Sequence, residues 1–364
     1  MNPKNSSRNP ALDLIRVFAF FCVVAVHFFL HTGYYDIPVL GGRMYAATLL
    51  RACVFVCIPL FLMLSGYLMN RRTATKQYYR KLIRIIGEYL LASLFCIIGN
   101  YFLDGRPADI LQFLKRQLFC LFSFLASQYG WYVEMYIGLF LLIPYLNIVY
   151  HHMADQKQKR NLVLTMLFLT SVPGVTNSFS AFFGDAEFFF RLIPEWWIGI
   201  YPITCYFIGA YLSEYPVRLR RPVLLVLILL STLISGTFCF WKSHGILFIL
   251  GIWQDNGSLF NVGLAVLLFS FLQQIPLRPG TRFARMLATL SDLTFSAYLV
   301  SAIVDRLLYT ALGLFQDSMV YRVEYLVVAV PLVFVCSLLL AAPVSFLYGI
   351  IQRSFAACHS HNGK

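Results

Sequence analysis

About ten runs of apolar residues, most of them near the twenty that a helix needs to cross roughly 30 Å of hydrocarbon, leave this chain few folds to choose from. They lie near residues 12 to 33, 48 to 70, 82 to 103, 130 to 150, 161 to 176, 195 to 213, 221 to 241, 258 to 275, 287 to 310 and 325 to 351, the fifth being short. Of the 364 residues, 59% are hydrophobic and 12% charged, too little polar surface to cover a water-soluble globule. The expected fold is an all-α polytopic membrane protein, one integral domain over residues 1–364. The first run carries Asp13 and Arg16, is too long for a signal peptide's apolar region, and is followed by no small-residue cleavage site. It is therefore expected to stay in the mature chain.

Charge placement supplies an orientation. If the N-terminus is cytoplasmic, the inward loops carry Arg71, Arg72, Lys76, Arg80, Lys81 and Arg84, then Lys157, Lys159 and Arg160, then Arg218, Arg220 and Arg221, then Arg278, Arg282 and Arg285. The outward loops are mixed or acidic, as with Asp185, Glu187, Arg191 and Glu195. The positive-inside rule thus predicts ten helices in the cell membrane with both termini cytoplasmic. The net charge of +13 is mostly this topology signal, and with no soluble domain to gather it the sequence points to no nucleic-acid partner.

Arg16 and His27 sit inside the first apolar run, LDLIRVFAFFCVVAVHFFLHTG. Their spacing of eleven positions places them roughly 16 Å apart in depth and within about 20° of one helix face. His31 extends that face outward, and Asp13, one turn before Arg16, is placed to pair with its guanidinium. Ionisable groups inside a membrane are costly to bury and are functional candidates by default; the plainer alternative is a packing histidine and a snorkelling arginine.

At the inner end of the third run, RRTATKQYYRKLIRII gathers six basic residues, more than topology requires, and Lys81 and Arg84 share a helix face. Guanidinium and ammonium donors match phosphate oxygens, so Arg80, Lys81 and Arg84, with Arg16 facing the same compartment, are candidates for an anionic ligand. The outer side offers Trp131, Tyr132, Glu134 and Tyr136 at the start of the fourth helix, and Glu195, Trp196, Trp197, Tyr201 and Tyr206. These are either an interfacial aromatic belt or a sugar-binding cleft. Residues 106 to 127 read as an amphipathic surface helix or a plain loop. The nine cysteines form no disulfide framework or metal-ligand spacing, no nucleotide-binding loop occurs, and there is no fixed-period repeat.

Several of these segments together resemble the acyltransferase-3 family of membrane O-acyltransferases. Arg8, Leu12, Asp13, Arg16 and His27 look like its opening helix, where a basic residue precedes a histidine by ten intervening positions. FLMLSGYLM is similar to the family's Ser-Gly-aromatic segment, here Ser65, Gly66 and Tyr67. Lys81 and Arg84 fall where the family carries two arginines three apart. The resemblance continues through WYVEMYIGLFLLIPYLN, TCYFIGAYL and LTFSAYLVSAIVD, so it covers nearly the whole chain. This chain has Gly87 where many members have a proline after the arginine pair, and Ser301, with Asp305 one turn on, where many have a second histidine. No further domain is expected beside the core.

The resemblance implies an acyl-CoA donor, usually acetyl-CoA, bound from the cytoplasm, no permanently bound cofactor, and a hydroxyl of an extracytoplasmic cell-envelope glycan or lipid-linked saccharide as acceptor. The diphosphate arm would sit on Arg16, Arg80, Lys81 and Arg84, and the thioester would reach His27, as general base or as nucleophile. Trp131, Tyr132, Glu134, Ser301, Asp305 and His31 would meet the acceptor. The other reading is a secondary transporter or flippase with Arg16, His27, His31, Asp305 and Arg306 as a coupling relay. A membrane anchor would need neither an anion pocket nor a deep histidine.

Overall fold

A computed structural model describes residues 8–103, 105, 109–182, 191–313 and 322–361. Among them there is no β-strand, and two isolated bridges, Pro38 with Leu247 and Val39 with His244, tie loops together. The helices are α1 (Pro10–His31), α2 (Gly41–Val54), α3 (Cys57–Met69), α4 (Lys76–Leu103), α5 (Ile110–Phe122), α6 (Trp131–His151), α7 (Gln156–Thr170), α8 (Val172–Thr176), α9 (Tyr201–Glu214), α10 (Arg221–Ser243), α11 (Leu259–Gln273), α12 (Arg282–Ala311) and α13 (Leu326–His361). Nine helical stretches among the described residues are long and apolar enough to cross a membrane.

The difference from ten lies in the sixth expected span. Its helix, α9, has 14 residues, about 21 Å of axial rise, and is preceded only by a 3-10 turn at Ile198–Ile200. Alone it falls short of the hydrocarbon thickness. The acidic outer-loop residues Asp185 and Glu187 lie outside the described residues. The amphipathic reading at 106 to 127 corresponds to α5, capped by Asp109, whose carboxylate accepts from the Gln112 amide at 3.0 Å. Ile110, Leu111, Leu114, Leu118, Phe119 and Phe122 on this helix are all exposed, as an interfacial helix requires.

Prolines explain the interruptions. Pro59 lacks an N–H and clashes with the carbonyl four residues back, that of Phe55, so the span Gly41–Met69 divides into α2 and α3 at Phe55 and Val56. Pro144 inside α6 similarly leaves the Phe140 carbonyl without its helical donor. The Tyr78 hydroxyl supplies the missing bond at 2.5 Å while the two rings stack at 4.3 Å.

The chain divides into two compact units of interleaved segments: Met1–Thr73, Ile143–Ala288 and Leu314–Val327 form one, and Ala74–Leu142, Thr289–Gly313 and Val328–Lys364 the other. In the first, α3 packs along α9, and α1 packs against α2, α3 and α11. The α3–α9 crossing is backbone on backbone. A Cβ at Gly66 would strike the Tyr206 carbonyl, and one at Gly209 the Met63 carbonyl. Asn147 closes the same corner: its Nδ2 donates to the Met69 and Arg72 carbonyls at 2.8 and 2.7 Å, and its Oδ1 accepts from the Tyr206 hydroxyl at 2.6 Å. Three of the segments that carry the family resemblance thus meet at one knot. In the second unit Gly87 leaves room for the Tyr348 ring, which a side chain there would displace.

Candidate functional site

Asn9 and Pro10 start α1: the Asn9 side chain accepts from the Ala11 amide at 3.0 Å, and proline is preorganised for the first helical turn. Arg8 grips Asp13 with both carboxylate oxygens, Nε to Oδ2 at 2.7 Å and Nη2 to Oδ1 at 2.6 Å, and adds a bond to the Ala288 carbonyl at 3.2 Å. Asp13 thus has a bidentate partner in Arg8, a pairing that the sequence alone did not suggest. Arg16, His27 and His31 are half-buried. Phe20 and Val23, on the stripe that joins Arg16 to His27, are buried, as is Asp13, so this face meets protein and not lipid.

Arg80, Lys81 and Arg84 are exposed along the first turns of α4. Arg84 is held from one side. Its Nε donates to Oε1 of buried Glu88 at 2.7 Å, and Ser296 donates to Oε2 of the same carboxylate at 3.3 Å. Held at Nε, the guanidinium presents its two terminal nitrogens as a fork, the geometry that suits a phosphate. Glu88 was not singled out from the sequence, although its position one turn after Arg84 was a readable signal. Arg16 and His27 belong to the first unit and Arg80, Lys81 and Arg84 to the second.

Two of the candidates, Tyr132 on α6 and Asp305 on α12, come together in the second unit around Tyr129 and Tyr298. Buried Asp305 accepts from the Tyr129 hydroxyl at 2.7 Å, and the Tyr298 hydroxyl donates to the Tyr129 carbonyl. Burial, reinforced by the neighbouring Asp305 charge, pushes the Tyr129 phenol well above its ordinary range, so it stays a donor. Tyr132 meets Tyr298 edge-on at 5.9 Å and stacks with Tyr136 at 5.9 Å. The loop that delivers Tyr129 is strained: Phe124 and Gln128 have φ of 57° and 59°, left-handed values that residues with side chains rarely adopt. Nothing in the sequence marked Tyr129, because its partner is 176 positions away.

The remaining candidates are placed differently. Ser301 is fully buried and donates to the Tyr298 carbonyl of its own helix at 2.8 Å. Glu134 and Trp131 are exposed. On a helix Glu134 is turned about 200° from Tyr132, hence away from the Tyr298 and Asp305 cluster. Tyr206, read as an outer aromatic, is buried at the α3–α9 knot, whereas Trp196 and Trp197 are exposed.

In the first unit the C-terminal end of α3 borders an open cavity of about 380 Å³ lined by Tyr67, Leu68, Asn70, Arg71, Arg72, Ser213 and Glu214. Asn70 donates to Ser213 at 2.5 Å, and the Asn70 carbonyl meets His151 Nε2 at 2.6 Å. Glu214 is neutralised by Lys159 at 2.7 Å, which leaves Arg71 and Arg72 as the cavity's positive charges.

No curated protein and no solved structure matches the chain. The model of the acyltransferase-3 family, described as an acyltransferase domain, matches residues 9–349, a span that holds the Arg16 and His27 stripe, the Arg84 fork, the Tyr129 and Asp305 cluster and the Gly66–Gly209 knot. This multi-pass membrane protein belongs to the acyltransferase-3 family.

Proposed function

We propose that the protein moves an acyl group from acyl-CoA, bound from the cytoplasm, to a hydroxyl of an extracytoplasmic glycan or glycolipid in the cell membrane. Both chain termini are cytoplasmic in this reading. The observation that carries it is the α1 stripe, which keeps a cation and an imidazole roughly 16 Å apart in depth on one protein-facing side of a membrane helix. Arg16 faces the compartment that supplies the donor. The held fork of Arg84, with Arg80 and Lys81 beside it, takes the diphosphate of the CoA.

The pantetheine arm then spans the depth that separates Arg16 from His27 and brings the thioester to the imidazole. His27 accepts the proton of the acceptor hydroxyl as its oxygen attacks the thioester carbonyl; the carbon–sulfur bond breaks, and the proton passes to the departing CoA thiolate. In the second unit Tyr132, and Asp305 with its Tyr129 partner, are candidate contacts for the acceptor. Acetyl is the donor group expected from the family resemblance.

Purified protein in lipid nanodiscs, given acetyl-CoA and candidate glycans, tests the reading by release of free CoA and acylation of the glycan. The wild type consumes thioester only with an acceptor present. His27→Gln, which keeps size and hydrogen bonding but cannot take up a proton at neutral pH, binds acetyl-CoA normally and transfers nothing. A glutamine variant that acylates glycan at the wild-type rate would overturn the role of His27.

A further inference from the structure

Arg51 lies in the membrane span formed by α2 and α3, and it is 2% exposed. Its Nε donates to the Tyr35 hydroxyl and its Nη1 to Gln254 Oε1, both at 2.8 Å. The rings of Phe55 and Phe248 cover the guanidinium, with Cζ at 4.4 and 4.6 Å from their centroids. Among the described residues, no acceptor takes Nη2 and no carboxylate lies within 4.0 Å. The carboxylate whose field reaches it belongs to exposed Asp255. A buried cation without a counter-ion is costly, and a purely structural arginine would have its five donors answered.

The depth of this charge follows from neighbours on α1 and on the turn that follows it. Outside it, the Tyr34 hydroxyl bonds Thr48, one turn before Arg51, at 2.7 Å; inside it, Cys22 lies beside Cys53 and Cys57. Arg51 therefore sits, on the adjoining helix of the same unit, between the level of Cys22 and the turn that follows α1, a range that includes His27. Its two partners come from the connections after α1 and before α11. Gln254 is itself immobilised: its Nε2 donates to the Ile249 carbonyl, and Asn261 donates to its carbonyl at 2.6 Å, so Oε1 stays aimed at Arg51. The guanidinium is preorganised with unused donors and aromatic walls.

We propose that Arg51 holds an oxyanion of the acceptor, a carboxylate or phosphate carried by the saccharide, and so selects acidic glycans over neutral ones at the level of His27. This rests on the transfer reading above for its biological meaning, but the binding itself does not require transfer. The rings of Phe55 and Phe248 fix the guanidinium, and its free edge suits the anion.

The test is calorimetric titration of the full-length protein in nanodiscs with a glucuronate-containing disaccharide, its neutral methyl ester, and glycerol phosphate as competitor. The acidic disaccharide should bind about tenfold tighter than the ester, the size of one charge-assisted contact, and Arg51→Gln should erase the difference without changing the ester. Competition by glycerol phosphate shows that phosphate shares the site; its absence restricts the site to carboxylates. Arg51→Lys keeps charge but loses the fork, so it should retain part of the preference. Equal binding of acid and ester by the wild type overturns the proposal, and so does a variant that weakens both alike. Should Arg51→Gln fail to fold, the wild-type contrast and the lysine variant decide. Thioester consumption measured in parallel separates the two claims: charge-selective binding without CoA release removes the transfer reading alone, and CoA release without charge selectivity removes this one alone.

Discussion

Arg84 and Glu88 show how a single buried carboxylate fixes the direction of a guanidinium. The carboxylate is buried and doubly bonded, so it holds Arg84 at one nitrogen and leaves the terminal pair outward. If Arg84 takes the diphosphate as proposed, removing the fork deletes charge-assisted contacts worth about 1.5–3 kcal/mol each, so Arg84→Ala should weaken acyl-CoA binding about tenfold or more. Glu88→Gln keeps an acceptor for Nε but not the charge, and its loss should be smaller. Calorimetry with a non-hydrolysable acyl-CoA analogue ranks the two; equal affinity in wild type and Arg84→Ala would remove Arg84 from the donor site. Arg51 stands in the same class as Arg16, a charge within an apolar run, and the sequence argument applied to Arg16 applied to it equally.

Helix crossings depend on which glycines face a neighbour. Gly66 and Gly209 meet carbonyl groups directly, whereas Gly138 in α6 has nothing within 4 Å of a Cβ. Gly66→Ala should therefore force α3 from α9 and lower stability by about 1–3 kcal/mol, the usual cost of overpacking. Gly138→Ala should instead stabilise by up to about 1 kcal/mol, the helix-propensity difference. Thermal unfolding in detergent compares them, and similar melting points would contradict the crossing geometry. At the proline break in α6, Tyr78→Phe leaves the Phe140 carbonyl unanswered and should cost about 1–3 kcal/mol; Tyr78→Phe combined with Pro144→Ala, which restores the helical donor, should recover much of that.

For the molecule as a whole, orientation is the property that organises every assignment. With cytoplasmic termini, single cysteines introduced at residues 109 and 191 of a cysteine-free variant should react with an impermeant maleimide applied to intact cells. Cysteines at residues 75 and 155 should react only after permeabilisation. The opposite pattern would exchange the donor and acceptor sides. The short α9 matters here, since the nine long helical stretches among the described residues and one helix of 14 residues reach the same side again only if α9, with its preceding turn, carries the chain across.

The membrane class, most helix positions and the stripe of Arg16 and His27 were legible in the amino-acid order, because apolar length and a period of 3.6 are local properties. The breaks at Pro59 and Pro144 were equally local. What the tertiary structure alone decided are partnerships between distant segments. Arg8 supplies a bidentate fork to Asp13, Tyr129 reaches Asp305 across 176 positions, and Tyr206 turns inward to Asn147 instead of outward to a sugar. Glu134 shares a helix with Tyr132 yet faces away, and Ser301 spends its hydroxyl on its own helix. Residue type and spacing define what a side chain can do; the packing of other helices around it determines which partner it meets, and hence whether it remains available for chemistry.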